Sequence, residues 1–405
     1  MPEQLRPLLG GTSGVKVIRL DGKQGNSLGG LISALMGRTS YDFIPGHLDY
    51  DIGRDIPREE LERLIELKKY VGSLDLDSAE RPQFEPVLTE MLANEAELVV
   101  SDKTRIIPFH LSARGAIDHV LRSIAQNKKV ALPTPNWFFW SKLDGAAEGR
   151  YGFEYFQALT PDQLVSNFKK LSKQKDLGAL LLVSPSNPLG FSIDSGIAEE
   201  LDKIAQKNGI EVVIDDLLRG NQPFGKRQTI ARYFSRPFVV EGFSHRFGEN
   251  PLGALSYVLL PEGDIYLDSD KSREQDCICP EVLKLAFKYS SRPIFEQLVV
   301  RNRAFDKGIR ETFPDIEIVR THEGSITSIV TMPKALKGTA SKLYETAALN
   351  NLGIAPIAKY FPEGSVIPRS VSRKFRIAIG AMDEGRVYYG ARFLGKGMAC
   401  TIEHQ

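Results

Sequence analysis

Cysteine is scarce: the 405 residues carry three, Cys277, Cys279 and Cys400. The first two lie too close in the chain to bridge easily, and no set of Cys and His has zinc spacing. A disulfide framework and a zinc module are therefore excluded, and all three read as reduced packing residues. An excess of charge of one sign is also missing. The formal net charge is +1, which gives no reason to expect nucleic acid or an acidic membrane surface as a partner. No apolar run approaches a membrane span, and the opening MPEQLRPLLGG lacks the apolar core of a signal peptide, so the expected location is the cytoplasm. Internal repeats and low-complexity tracts are absent. So is a Gly-x-Gly-x-x-Gly between a first strand and helix, which argues against a dinucleotide-binding Rossmann domain. The acids of KYVGSLDLDSAE lack the glycine and spacing of a calcium loop.

What is present is ordinary soluble-protein composition, 42% hydrophobic and 25% charged, in a chain long enough for two domains. From about residue 100 to 260, short apolar runs alternate with amphipathic segments, the pattern of a βαβ series with a largely parallel sheet. The runs are 129–133, 179–184, 211–215, 237–244 and 254–260, and their continuous hydrophobicity suits strands covered on both faces. Helices are expected over 115–126, 161–174 and 196–209, the last closed by Gly209. After about 280 the texture changes. Residues 281–305 read as one or two long helices, followed by strands at 316–320 and 325–331, a helix near 339–351, a strand at 374–381 and a final helix from 385. The expected organisation is an N-terminal arm (1–49), a large α/β domain (50–285) and a small α+β domain (286–405).

Three segments carry chemistry. LLVSPSNPLG (181–190) ends a strand in a rigid Pro/Gly loop at its carboxyl end, where ligands gather in open α/β sheets. VVIDDLLRG (212–220) puts Asp215 at the end of an apolar strand, where a carboxylate needs a cation or a helix to cap. EGFSHRFGENPLGALSYVLL (241–260) is a strand, a polar turn and a returning strand.

In this order and spacing they resemble the fold-type I pyridoxal-phosphate (PLP) enzymes of the aminotransferase class I/II family, over roughly residues 40–400. Upstream, LSARGAIDHVL (111–121) resembles the family's phosphate-cradling turn at a helix start, and LPTPNWFFW (132–140) the loop whose aromatic ring stacks on the cofactor. Downstream, FRIAIG (375–380) resembles the strand whose arginine clamps a substrate carboxylate. The resemblance implies an α/β fold with a mostly parallel seven-stranded sheet plus a small α+β domain. It also implies a homodimer and an amino-acid or keto-acid substrate. Residue by residue, it implies that Asn187 donates to the ring's phenolic oxygen, Asp215 keeps the ring nitrogen protonated and Trp137 stacks on the ring. Ser112, Ala113 and Arg114 would hold the phosphate with Ser244, and Arg376 would take the α-carboxylate. Tyr70 falls roughly where the family offers a tyrosine across the dimer interface.

Three positions depart from the pattern. His245 stands where the family has its cofactor-binding lysine, Leu218 where a tyrosine donates to the ring oxygen, and Gly253 or Ala254 where a phosphate-binding arginine is expected. Arg246, Arg219 and Arg114 are the candidates to replace that arginine. Histidine cannot hold PLP covalently as lysine does, but it can move protons near neutral pH. Some sugar dehydratases of a related branch, dependent on the amine form of the cofactor (PMP), place a histidine here. Three coincident losses fit divergence better than a single replacement. The reading is therefore an enzyme that binds PLP or PMP non-covalently, with His245 as acid and base in transamination or a specialised elimination or dehydration step. A catalytically inactive binding or regulatory relative, and a PLP-independent enzyme on the same fold, remain the alternatives.

Overall fold

A computed structural model describes residues 41–42, 59, 105–109, 113–137, 140–218, 229–242, 256–261, 293–349, 352–380 and 382–403. The chain divides into two compact units. The larger comprises 47–297 and 360–363; the smaller comprises 1–46, 298–359 and 364–405.

Seven strands build the larger unit: β1 (Arg105–Phe109), β2 (Lys129–Thr134), β3 (Gly152–Gln157), β4 (Leu177–Val183), β5 (Glu211–Asp215), β6 (Pro237–Gly242) and β7 (Ser256–Leu260). They form one sheet in the order β1-β7-β6-β5-β4-β2-β3. Only β7 runs against the rest; β2, β3, β4, β5 and β6 pair parallel. All seven residues of β4 are buried, which is why its sequence LGALLLV shows no polar alternation.

Alternate residues of these strands feed two cores, one on each face. Leu180, Leu182, Val212, Ile214 and Val239 pack with Leu164 and Phe168 of α2 (Pro161–Leu171) and Leu201 of α3 (Ser195–Lys207). Leu181, Val183, Val213, Phe238 and Val240 pack on the other face with Ile117, Val120 and Leu121 of α1 (Ala113–Ile124). Each such side chain contributes roughly 1.5–3 kcal/mol by leaving water, and the faces hold three layers together.

Local signals set the helix ends. Thr160 accepts from the Gln163 N–H ahead of α2, with Pro161 at the first helical position, and Asp194 accepts from the Ile197 N–H ahead of α3. Gly209 follows α3 at φ 64°, a left-handed turn that costs a glycine little. On α1, buried Asp118 accepts from the Gly145 N–H (3.0 Å), the Tyr151 hydroxyl (2.6 Å) and Arg122 Nε (2.9 Å), tying the helix to the segment 144–151.

In the smaller unit, β8 (Ile318–Val319), β9 (Thr327–Thr331), β10 (Ala355–Pro356) and β11 (Lys374–Ala378) form an antiparallel sheet in the order β10-β11-β9-β8. A two-residue parallel pairing joins Tyr41–Asp42 to Leu352–Gly353. Helix α4 (Pro293–Arg310) enters the unit from Leu298 onward, and the unit also contains α5 (Ala340–Leu349) and α6 (Glu384–Glu403). Asn302 on α4 donates to the carbonyls of Glu323 and Ser325, and Arg320 grips Asp306 through both terminal nitrogens. Among the described residues, no helix is long and apolar enough to cross a membrane.

Candidate functional site

The register of the large sheet decides which residues share an edge. Val183 pairs with Asp215, Asp215 with Val240, Gly242 with Ser256, and Ser256 with Phe109. The carboxyl ends of β4, β5, β6 and β1 are therefore level, and β2 ends beside β4 at Thr134. Helix α1 begins four residues after β1 ends, so its amino terminus belongs to this same edge. That is the edge where ligands bind in open parallel sheets.

Asp215 is the most informative group on it. Its neighbours in register, Val183 and Val240, both belong to the core on the α1 face, and so does Val213 two residues before it. The carboxylate thus starts from an apolar wall on that face. It is 7% exposed, and among the described residues its side chain takes one hydrogen bond, from the Leu217 N–H at 3.1 Å. Burial pushes its pKa up to about 7, against a smaller downward pull from that N–H.

Trp137 packs against the same core. It sits on the loop that leaves β2, and its indole meets that of Trp140 edge to face, with centroids 5.2 Å apart and planes at 78°. Asn136 organises the turn: its Oδ1 accepts from the Trp137 N–H at 2.7 Å and from Trp140 Nε1 at 3.1 Å. Asn187 lies half-buried on the loop leaving β4, whose Gly190 N–H donates to the Ser186 carbonyl and whose Ser186 N–H donates to the Phe191 carbonyl. Ala113 and Arg114 open α1, Ala113 buried and Arg114 half-buried with one terminal nitrogen donating to the Lys142 carbonyl. The N–H groups and dipole of a helix amino terminus suit a phosphate.

The sheet thus brings Trp137, Asn187, Asp215, Ala113 and Arg114 to one edge. Leu218 lies in the short turn after Asp215 and offers no hydrogen-bond donor in its side chain. Arg376 belongs to the smaller unit, at the centre of its sheet, where it pairs with Ile329 and Ala355 and is 4% exposed. Ser112, Ser244, His245, Arg246, Arg219, Gly253, Ala254 and Tyr70 lie outside the described residues. Reading the sequence did not single out Asn136, which organises this loop. An asparagine between proline and an aromatic in TPNW is the available signal, because Asn side chains bond nearby backbone in turns.

The residues present fit a flat, phosphorylated, cationic ring: a buried carboxyl, an indole packed against the core on the same face of the sheet and a helix amino terminus on the same edge. No family model and no curated protein sequence matches the chain. Solved structures do. An aspartate aminotransferase from Thermotoga maritima superposes with a TM-score of 0.71 at 12% identity, covering 90% of this chain and 94% of that one. A multiple substrate aminotransferase from Thermococcus profundus gives 0.69 at 16% identity over 95% and 97%. A tetra mutant of the Thermus thermophilus aspartate aminotransferase gives 0.69 at 15% over 88% and 96%. The chain has the fold of the fold-type I PLP-dependent aminotransferases, and at these identities the likeness speaks for the fold.

Proposed function

We propose that the chain binds PLP or PMP non-covalently at the carboxyl edge of its large sheet and acts on an amino acid or its keto acid. The observation that carries this is Asp215, a buried carboxyl raised to about 7 with one backbone hydrogen bond among the described residues. An unpaired buried charge is costly, and a protonated pyridine nitrogen is a cation of the right size to offset it. The bound cofactor supplies an electron sink for the bond breaking at the substrate's α-carbon.

The chain's own residues divide the remaining work. Asp215 holds the proton on the ring nitrogen, Asn187 donates to the phenolic oxygen and Trp137 covers a ring face. The α1 amino terminus with Ser112, Ala113 and Arg114, joined by Ser244 and Arg246, holds the phosphate. Arg376 binds the α-carboxylate through its planar guanidinium, and His245 moves the proton at the α-carbon. Transamination or a specialised elimination or dehydration is the chemistry this set serves, in a cytoplasmic homodimer. The presence of His245, Leu218 and Gly253 in place of lysine, tyrosine and arginine favours one second reading, a relative that holds the cofactor without turning substrate over.

Titration of the purified protein with PLP and with PMP, followed by near-ultraviolet and visible absorbance, tests the reading. Saturable binding of either, weakened in Asp215→Ala, is the expected result, and binding of neither refutes it. Binding without turnover of any amino acid selects the second reading. Restoring lysine with His245→Lys should add a new absorbance band that shifts on adding amino acids.

A further inference from the structure

The chain holds two tryptophans, and both lie in one loop of the candidate site under the control of one side chain. Asn136, 6% exposed, directs a single oxygen at two donors: the main-chain N–H of Trp137 and the indole Nε1 of Trp140. Its own backbone N–H donates to the Tyr360 carbonyl at 2.9 Å, which anchors the asparagine to the 360–363 segment of the same unit. Buried Trp140 cannot turn without breaking its bond to Asn136, and Trp137 leans on it edge to face. One carboxamide thus fixes both the backbone that carries the Trp137 ring and the ring against which it rests.

We propose that Asn136 is a positioning residue that presets the plane of the Trp137 indole to cover the ring of bound PLP or PMP. This rests on the cofactor reading above. The physical reason is pre-organisation. An indole held in its stacking orientation before the ligand arrives loses little conformational freedom on binding, whereas a loose one loses that freedom at the expense of affinity. A carboxamide oxygen suits this because it accepts two N–H groups at once, and any residue with an acceptor oxygen at the same reach preserves both bonds.

The two indoles make the test specific, because tryptophan fluorescence and the indole circular-dichroism bands of the full-length chain report this loop alone. Three proteins are compared: the parent, Asn136→Ala and Asn136→Asp, the last of which keeps the acceptor. Ligand-free Asn136→Ala should lose the dichroism of the coupled indole pair and shift its emission, while Asn136→Asp should keep both signals. Titrated with PLP and PMP, Asn136→Ala should bind about tenfold more weakly, the factor given by about 1.4 kcal/mol. Asn136→Asp should stay within about twofold of the parent.

The proposal is overturned if Asn136→Ala leaves the indole signals unchanged. It is overturned equally if those signals are lost and the parent and Asn136→Ala bind the cofactor alike, because Asn136 then serves the loop's folding alone. A fall in thermal midpoint shared by both variants with no change in affinity overturns it for the same reason. If the parent itself binds neither PLP nor PMP, the function proposed above fails, an outcome distinct from any difference between variants.

Discussion

Replacing Asp215 with asparagine should make the ligand-free protein more stable at pH 8 while weakening its hold on the cofactor. The carboxyl has an ordinary pKa of 3.8 and is raised by burial to about 7 in the folded chain. Between those values the folded state binds more protons than the unfolded state, so stability falls as pH rises from about 4 to about 7 and is level beyond. A shift of this size corresponds to roughly 4 kcal/mol at pH 8. Asparagine carries no charge to desolvate, and its Oδ1 can still accept from the Leu217 N–H. Its new amide N–H groups need partners, which cancels about 1–3 kcal/mol of the gain. The net is a gain of roughly 1–3 kcal/mol at pH 8 that shrinks to nothing or reverses at pH 4.

The assay is thermal unfolding of both proteins from pH 4 to pH 8 without cofactor. At about 2–4 °C per kcal/mol for a unit of this size, the difference in Tm should grow by roughly 8–16 °C between the two ends. With PLP or PMP present at pH 8 the order should reverse, because binding stabilises more strongly the chain that can pair with the ring nitrogen. A Tm difference that stays flat across the pH range would refute the account of Asp215 as a carboxyl held out of water.

Three further perturbations follow from the packing and the proposed substrate contact. Asp118→Ala removes the acceptor of the buried Gly145 N–H and Tyr151 hydroxyl and should cost roughly 3 kcal/mol in unfolding free energy, read by denaturant titration, whereas Asp118→Asn, which keeps an acceptor, should cost less. Gly308→Ala on α4 places a Cβ against the Tyr388 carbonyl oxygen and 3.1 Å from Ala391 Cβ on α6, so the two helices must part at a cost of about 1–3 kcal/mol in unfolding free energy. Arg376→Lys should leave PLP or PMP affinity unchanged and weaken amino-acid binding by roughly 10- to 100-fold, the loss of one charge-assisted hydrogen bond, read from the amino-acid dependence of the cofactor spectrum. An unchanged amino-acid dependence would remove Arg376 from the substrate contact.

The strands that sequence patterning located are those buried on both faces. ALLLVS and EVVID show unbroken apolar runs because α1 covers one face and α2 with α3 the other. Two strands gave no such signal. β1, RIIPF, is short, ends its sheet and contains a proline, which pattern reading demotes. β3, GFEYFQ, is the opposite edge strand, where Phe156 is buried and Tyr155 is exposed. An edge strand needs less apolar surface, so it loses the continuous run that identifies its neighbours. Of the one or two long helices expected over 281–305, the described part is one helix from Pro293 that runs on to Arg310, while 281–292 lie outside the described residues. Helix ends followed capping chemistry, as at Thr160 and Asp194, and were accordingly legible to within a few residues.

The site was legible to a different degree for a different reason. Asp215 and Asn187 stand out in sequence because each follows or ends an apolar strand with a polar group, a conflict that needs a ligand or a cap to resolve. Asn136 does not stand out, because its role lies in which two donors its oxygen meets, and one of them is four residues away around a turn. The resemblance would place His245, Leu218 and Gly253 at positions that hold a cofactor covalently or by its periphery. Asp215, the group proposed to address the ring nitrogen, costs the ligand-free fold roughly 4 kcal/mol above neutral pH. Without a ligand the fold would be more stable with a neutral or apolar residue there. A carboxyl placed in an apolar wall is a physical argument for a cationic ligand at that edge.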